Sequence, residues 1–120
     1  MVSAAESPVH QNWKDAILAA KETDTVFLNR FGPGPALRAL RTEKTTAFEK
    51  EPPAAIMGEF GHAKDLYFGG DMEASIALSG QVAGRIDEVK PVAQVIAETV
   101  AEFEQVTAEL GRRFGAKAMA

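Results

Sequence analysis

Two acid–histidine pairs open the chemical inventory of this sequence. Glu6 and His10 stand four residues apart, and Glu59 and His62 stand three apart. The second spacing places a carboxylate and an imidazole on one face of a helix. A Glu-x-x-His step is half of a carboxylate-bridged di-metal site, whose other half is a second such step on a facing helix. The sequence holds no second copy, so the pairs read as surface ion pairs or hydrogen bonds and no metal ligands are assigned. Arg30, Arg38, Arg41 and Lys44 could clasp a phosphate, because guanidinium groups suit oxyanions. They read instead as a solvated helix face answered by Glu43, Glu49 and Glu51. The glycines at Gly32-Pro33-Gly34 and Gly69-Gly70 fit neither a P-loop nor a dinucleotide fingerprint and read as turns. Ser3, Ser7, Ser75 and Ser79 have no histidine at a nucleophile–base spacing, so no catalytic residue is assigned. Trp13, Tyr67 and Phe68 could stack on a planar ring, but their spacing reads as core.

The remaining candidate is Gly80-Gln81-Val82-Ala83-Gly84. Small residues at 80, 83 and 84 let a backbone approach another surface closely. Gln81 offers an amide donor and an acceptor. Two readings stand: tight packing around one hydrogen-bonded glutamine, or a backbone-and-amide patch at the rim of a cofactor pocket.

Composition narrows the classes. The 120 residues suffice for one domain with a modest core, and 46% hydrophobic with 25% charged residues is ordinary for a globular chain. A net charge of -4 offers no large basic field for a nucleic-acid backbone. The absence of cysteine excludes disulfides, zinc thiolates, iron–sulfur clusters and thiol nucleophiles. The first ten residues lack the pattern of a signal peptide, and no apolar run approaches the ~20 residues needed to span a bilayer. The expected compartment is the cytoplasm, with no membrane and no nucleic-acid partner.

The elements that would position these groups are mostly helical. Ser7-Pro8 predicts a helix start, with Val9, Trp13, Ala16, Ile17 and Ala20 inward and Lys14, Asp15 and Lys21 outward. Thr25–Leu28 predicts one brief strand with no second strand to pair with, so its neighbour is expected in a missing part or another chain. Pro35 opens a predicted helix carrying Arg38, Arg41 and Lys44, ended by Glu51-Pro52-Pro53. Further helices are expected from Ala54 to about Phe60 and from Asp71 through Leu78. Pro91 opens the longest helix, whose apolar stripe includes Val92, Ile96, Val100, Phe103, Val106, Leu110 and Phe114. The expected fold class is mainly α with one short strand, in a single domain over 1–120.

Several segments together resemble a known family. Ser3–His10 with Lys14, Glu22–Val26, Pro35–Arg41, and then Gly80-Gln81 with Gly84, Ile86 and Pro91 follow in order. In that order and spacing they resemble the C-terminal portion of the nitronate monooxygenases, flavoproteins formerly called 2-nitropropane dioxygenases. The resemblance implies the helical second domain that follows an FMN-binding (β/α)8 barrel, with 1–8 as the remnant after the last barrel strand and 9–115 as the helical cap. It implies a parent oxidoreductase that oxidises alkyl nitronates with molecular oxygen to a carbonyl compound and nitrite. No residue here matches the family's catalytic histidine or its phosphate loops, so neither His10 nor His62 takes that role. Gly80 and Gln81 are then the residues nearest the flavin, and FMN belongs to the parent rather than to this chain alone. The expected partner is a missing N-terminal barrel half or a separate barrel chain, the detachment arising from a truncated or split reading frame. The alternative expectation is an autonomous helical interaction module that self-associates through the stripe after Pro91.

Overall fold

A computed structural model describes residues 3–115. These residues fall into two compact units. One comprises Ser3 with Ser7–Val89, and the other comprises Ala4–Glu6 with the described residues from Lys90 onward.

The first unit opens with helix α1, Gln11–Ala19. It starts three residues later than the Ser7-Pro8 signal predicts. Val9 N–H turns back to Ser7 Oγ at 3.5 Å, and His10 N–H donates to Tyr67 O at 2.7 Å. Those bonds hold residues 8–10 out of the helix, and His10 becomes the N-cap, its Nδ1 accepting from Asn12 N–H. Trp13 and Ile17 face inward as expected. Lys14, expected outside, is buried along its stem and donates its ammonium to Ser7 O at 2.9 Å.

Strand β1, Thr25–Leu28, lies where the sequence places it, but its partner is within the chain. Leu37–Leu40, expected in a helix, forms strand β2 antiparallel to β1, with Val26 opposite Ala39 and Phe27 opposite Arg38. Leu, Arg and Ala all favour helix, so local propensity misleads here. Pairing on both edges overrides it. Beyond β1, Leu40 N–H donates to Ala77 O at 2.8 Å and Ser79 N–H to Arg38 O at 3.1 Å, around an antiparallel bridge of Ala39 with Leu78. The helix expected from Asp71 through Leu78 is therefore absent, and 76–79 runs extended along β2. The hairpin loop is held by Asn29, at φ 58°, whose amide donates to Pro33 O and Pro35 O.

Helix α2, Glu43–Lys50, begins only after β2. Thr42 and Thr45 form a reciprocal capping box, and the Glu73 carboxylate accepts from Glu43 N–H and Lys44 N–H at 3.0 and 2.8 Å. The expected helix after Ala54 is a 3₁₀ turn, Ile56–Phe60, followed by the short helix α3, Ala63–Tyr67. Two apolar clusters result. Trp13, Ile17, Leu40, Leu66, Ala77 and Ala83 form one, and Val26, Leu28, Ala39, Ile56 and Ile76 form the other.

The second unit is dominated by helix α4, Val92–Phe114, opening at Pro91 as predicted. The Pro91 ring has no acceptor to cap the helix, and the Glu6 carboxylate accepts Val92 N–H instead, at 2.9 Å. Lys90 and Gln94 both bond Glu98, and the Lys90 bond chiefly draws its carboxyl below the usual range. The apolar stripe is exposed, with Phe103 69% and Phe114 66% accessible. Among the described residues no helix is long and apolar enough to cross a membrane. The mainly helical expectation holds, with a two-stranded sheet in place of one unpaired strand.

Candidate functional site

The Gly80–Gly84 segment leaves β2's edge and turns into a short 3₁₀ helix, Ala83–Arg85. Ala83 N–H closes the turn onto Gly80 O at 3.3 Å, and Ile86 N–H closes the next onto Ala83 O at 3.1 Å. The three small residues have different duties. Ala83 is buried in the Trp13 cluster. Gly84 presses against the turn after α1, where a Cβ would sit 2.3 Å from the Lys21 carbonyl carbon. Gly80 faces open space, with nothing within 4 Å of a Cβ placed there. Gln81 is exposed beside it. The packing reading thus describes 83 and 84, while 80 and 81 are free surface.

Gly80 also lines a small cavity of about 190 Å³ shared with Ser79, Val82, Trp13 and Ile17. Trp13 is only 4% exposed, and its buried indole N–H has no hydrogen-bond partner among the described residues. An unsatisfied donor of this kind costs about 1–3 kcal/mol. Its ring packs against Tyr67, with centroids 6.2 Å apart. Tyr67 fixes the start of the segment by accepting Leu78 N–H on its hydroxyl oxygen at 3.0 Å. Ser75 fixes the other end of the extended run, donating to Glu59 O at 2.9 Å. The sequence carries no signal for the Tyr67–Leu78 bond, because it depends on residues 76–79 being extended.

Burial raises the Tyr67 phenol above its ordinary pKa, and the Leu78 bond offsets part of this. The phenol's stabilising contribution is therefore complete below the unfolded value near pH ~10 and is lost as pH rises through the folded value. Urea unfolding should show stability falling above that pH, with a shallower fall in Tyr67→Phe. Tyr67 is the sole tyrosine, so ultraviolet difference absorbance follows its ionisation alone. An unchanged alkaline slope in the variant would remove Tyr67 as its source.

The other sequence candidates are dispersed. Glu6 caps α4 and His10 caps α1, so they do not act as a pair. His62 contacts Asp65 at 3.1 Å while Glu59 contacts Lys44 at 3.6 Å, so the Glu59–His62 step is not joined either. Among the described residues no three histidine, aspartate or glutamate side chains are grouped to hold a metal. The supposed basic helix face splits in two, because β2 replaces half of that helix. Arg41 binds Glu49 at 3.0 Å and Lys44 reaches Glu59, whereas Arg30 and Arg38 stand over Phe27.

Ligand pockets of cofactor size run from about 300 to 1,000 Å³, and the cavity at Gly80 is smaller. Gly69 packs on Asp65 O and Gly70, at φ +79°, turns beside the His10 ring.

No family model and no curated protein matches the sequence. Solved structures do. FabK from Thermotoga maritima matches with a TM-score of 0.82 at 31% identity, over 94% of this chain and 37% of that chain. A point mutant of the same protein matches with a TM-score of 0.77 at 31% identity, over 94% of this chain and 35% of that chain. The chain thus spans little more than a third of the FabK chains it resembles, consistent with a portion of a larger fold.

Proposed function

We propose that this chain is the C-terminal part of an FMN-dependent, nitronate monooxygenase-like oxidoreductase. The observation that carries the reading is the likeness of nearly the whole chain to a third of FabK, which points to a flavin-dependent oxidoreductase-like family. The sequence segments from Ser3 to Pro91 supply the narrower resemblance. In this reading the flavin, its phosphate loops and the catalytic histidine belong to the rest of the parent, a barrel half or partner chain. Gly80 and Gln81 contribute to the pocket rim, and no step of the oxidation of an alkyl nitronate by oxygen to carbonyl compound and nitrite is assigned to this chain.

FMN titrated with the purified chain, followed by flavin fluorescence, should show no saturable quenching. Saturable quenching would overturn the assignment of the flavin site to the rest of the parent. In the parent protein, nitrite release from an alkyl nitronate tests the substrate class, and the absence of nitrite would reject it. Gln81→Ala in that setting should lower flavin affinity or turnover, and unchanged kinetics would remove Gln81 from the rim.

A second reading is an interaction module without catalysis. The exposed stripe Ile96, Val100, Phe103, Val106, Leu110 and Phe114 on α4 favours it. Sedimentation at several concentrations decides, since a monomer throughout excludes self-association.

A further inference from the structure

Helix α4 is the longest element of the fold, yet it has no buried residue. Ile96, Val100, Val106 and Leu110 are each about half exposed, and the Phe103 and Phe114 rings more so. Ile96, Val100, Phe103, Leu110 and Phe114 lie within about 40° of one line along the helix, with Val106 on its flank. Positions 96, 103 and 110 recur every seven residues, and so do 100, 107 and 114. Two interleaved heptad sets of this kind make the a and d seam of a helix suited to lie along another helix. Thr107 is the one polar residue in that seam. From Ile96 to Phe114 the seam is ~27 Å long at the α-helical rise.

Charge selects the mate. Residues 92–104 carry Glu98, Glu102 and Glu104 and no cation. Residues 105–114 carry Arg112 and Arg113, which share the carboxylate of Glu109. A copy of α4 laid antiparallel brings the acidic half of each helix against the basic-ended half of the other. A parallel copy would lay acidic half on acidic half. Antiparallel helices also set the positive end of each macrodipole beside the negative end of the other.

We propose that α4 is an antiparallel dimerisation helix, packed on α4 of a second copy of this chain about a two-fold axis at residue 105. This rests on the second reading above and adds the direction and the register. In that register Ile96 lies opposite the partner's Phe114, Val100 opposite the partner's Leu110, and Phe103 opposite the partner's Thr107. Val106 closes one flank at the axis. On the other flank Glu104 meets the partner's Glu104, a like-charge contact that the apolar seam outweighs.

Sedimentation of the full chain should show a concentration-dependent dimer. Phe103→Glu should abolish it, and the near-ultraviolet signal of Trp13 should be unchanged, because α4 contributes no buried residue. Glu104→Gln should tighten the dimer by about twofold, the scale of one relieved like-charge pair. The chain has no cysteine, so an introduced thiol reports a single position. Under oxidation a mixture of Val100→Cys and Leu110→Cys chains should give the mixed disulfide, and neither variant alone should cross-link. A monomer at every concentration would overturn this pairing together with the second reading, and would assign the stripe to a different chain. A dimer in which Val100→Cys or Leu110→Cys cross-links to itself, or one that survives Phe103→Glu, would leave self-association standing and overturn this pairing alone.

Discussion

Gly84→Ala is expected to lose about 3 kcal/mol of stability, the upper end of the usual cost of overpacking. The added Cβ would lie 2.3 Å from the Lys21 carbonyl carbon, 2.4 Å from Glu22 N and 2.5 Å from Lys21 O. All three are backbone atoms, so no rotamer change relieves the clash. The turn they belong to is itself tied down, because Lys21 N–H donates to Asp24 Oδ2 and Asp24 N–H to Lys21 O. Relief therefore requires moving the link between α1 and β1, or moving Ala83 out of the Trp13 cluster. Gly80→Ala, four residues away in the same small-residue run, meets nothing within 4 Å. It should stay within about 0.5 kcal/mol of the parent, as surface substitutions do. Urea unfolding followed by far-ultraviolet circular dichroism compares the two. Equal stabilities would show that Gly84 does not pack against residues 21–22. The contrast also serves the functional proposal, since a change at Gly80 that spares stability yet lowers flavin affinity in the parent isolates a rim role from a folding one.

The sequence was most legible where one local signal dominates. Pro91 followed by a regular apolar stripe predicts α4, and the β-branched and apolar run Thr25–Leu28 predicts β1, as observed. It was least legible where tertiary pairing opposes local preference. Leu37–Leu40 has helix-forming residues, yet it is hydrogen-bonded on one edge to β1 and on the other to 77–79. That single misreading propagates. It put Arg38 on a helix with Arg41 and Lys44, hid its pairing with Phe27, and left β1 without a partner. Helix starts failed for a related reason. Ser7-Pro8 is a sound local signal, but His10 is bonded to Tyr67 O across the fold, so the helix begins after it. In the candidate site, the presence of small residues at 80, 83 and 84 was visible. Their division into packed and open positions was not, because it depends on where residues 21–22 come to lie.

Ile76→Ala should cost about 2–5 kcal/mol, the range for truncating a buried aliphatic side chain. Ile76 is fully buried in the cluster of Val26, Leu28, Ala39 and Ile56, on the sheet face opposite Phe27 and Arg38. It is the apolar anchor of the extended run whose next residue, Ala77, accepts Leu40 N–H. Small domains have net stabilities of about 5–15 kcal/mol, so this one truncation removes a large share. The loss should also be local in character. Amide hydrogen exchange should quicken first at Leu40 and Ser79, whose N–H groups bridge β2 and the 76–79 run. Leu78→Ala is the control, since Leu78 is 42% exposed and its backbone bonds survive truncation. It should cost well under half as much. If Leu78→Ala proved the more damaging, the extended run would be held by its solvent side rather than by Ile76. If the expected order holds, the open Gly80–Gln81 backbone is positioned by burial just upstream of it. That backbone is then anchored at its upstream end and open to solvent beyond it.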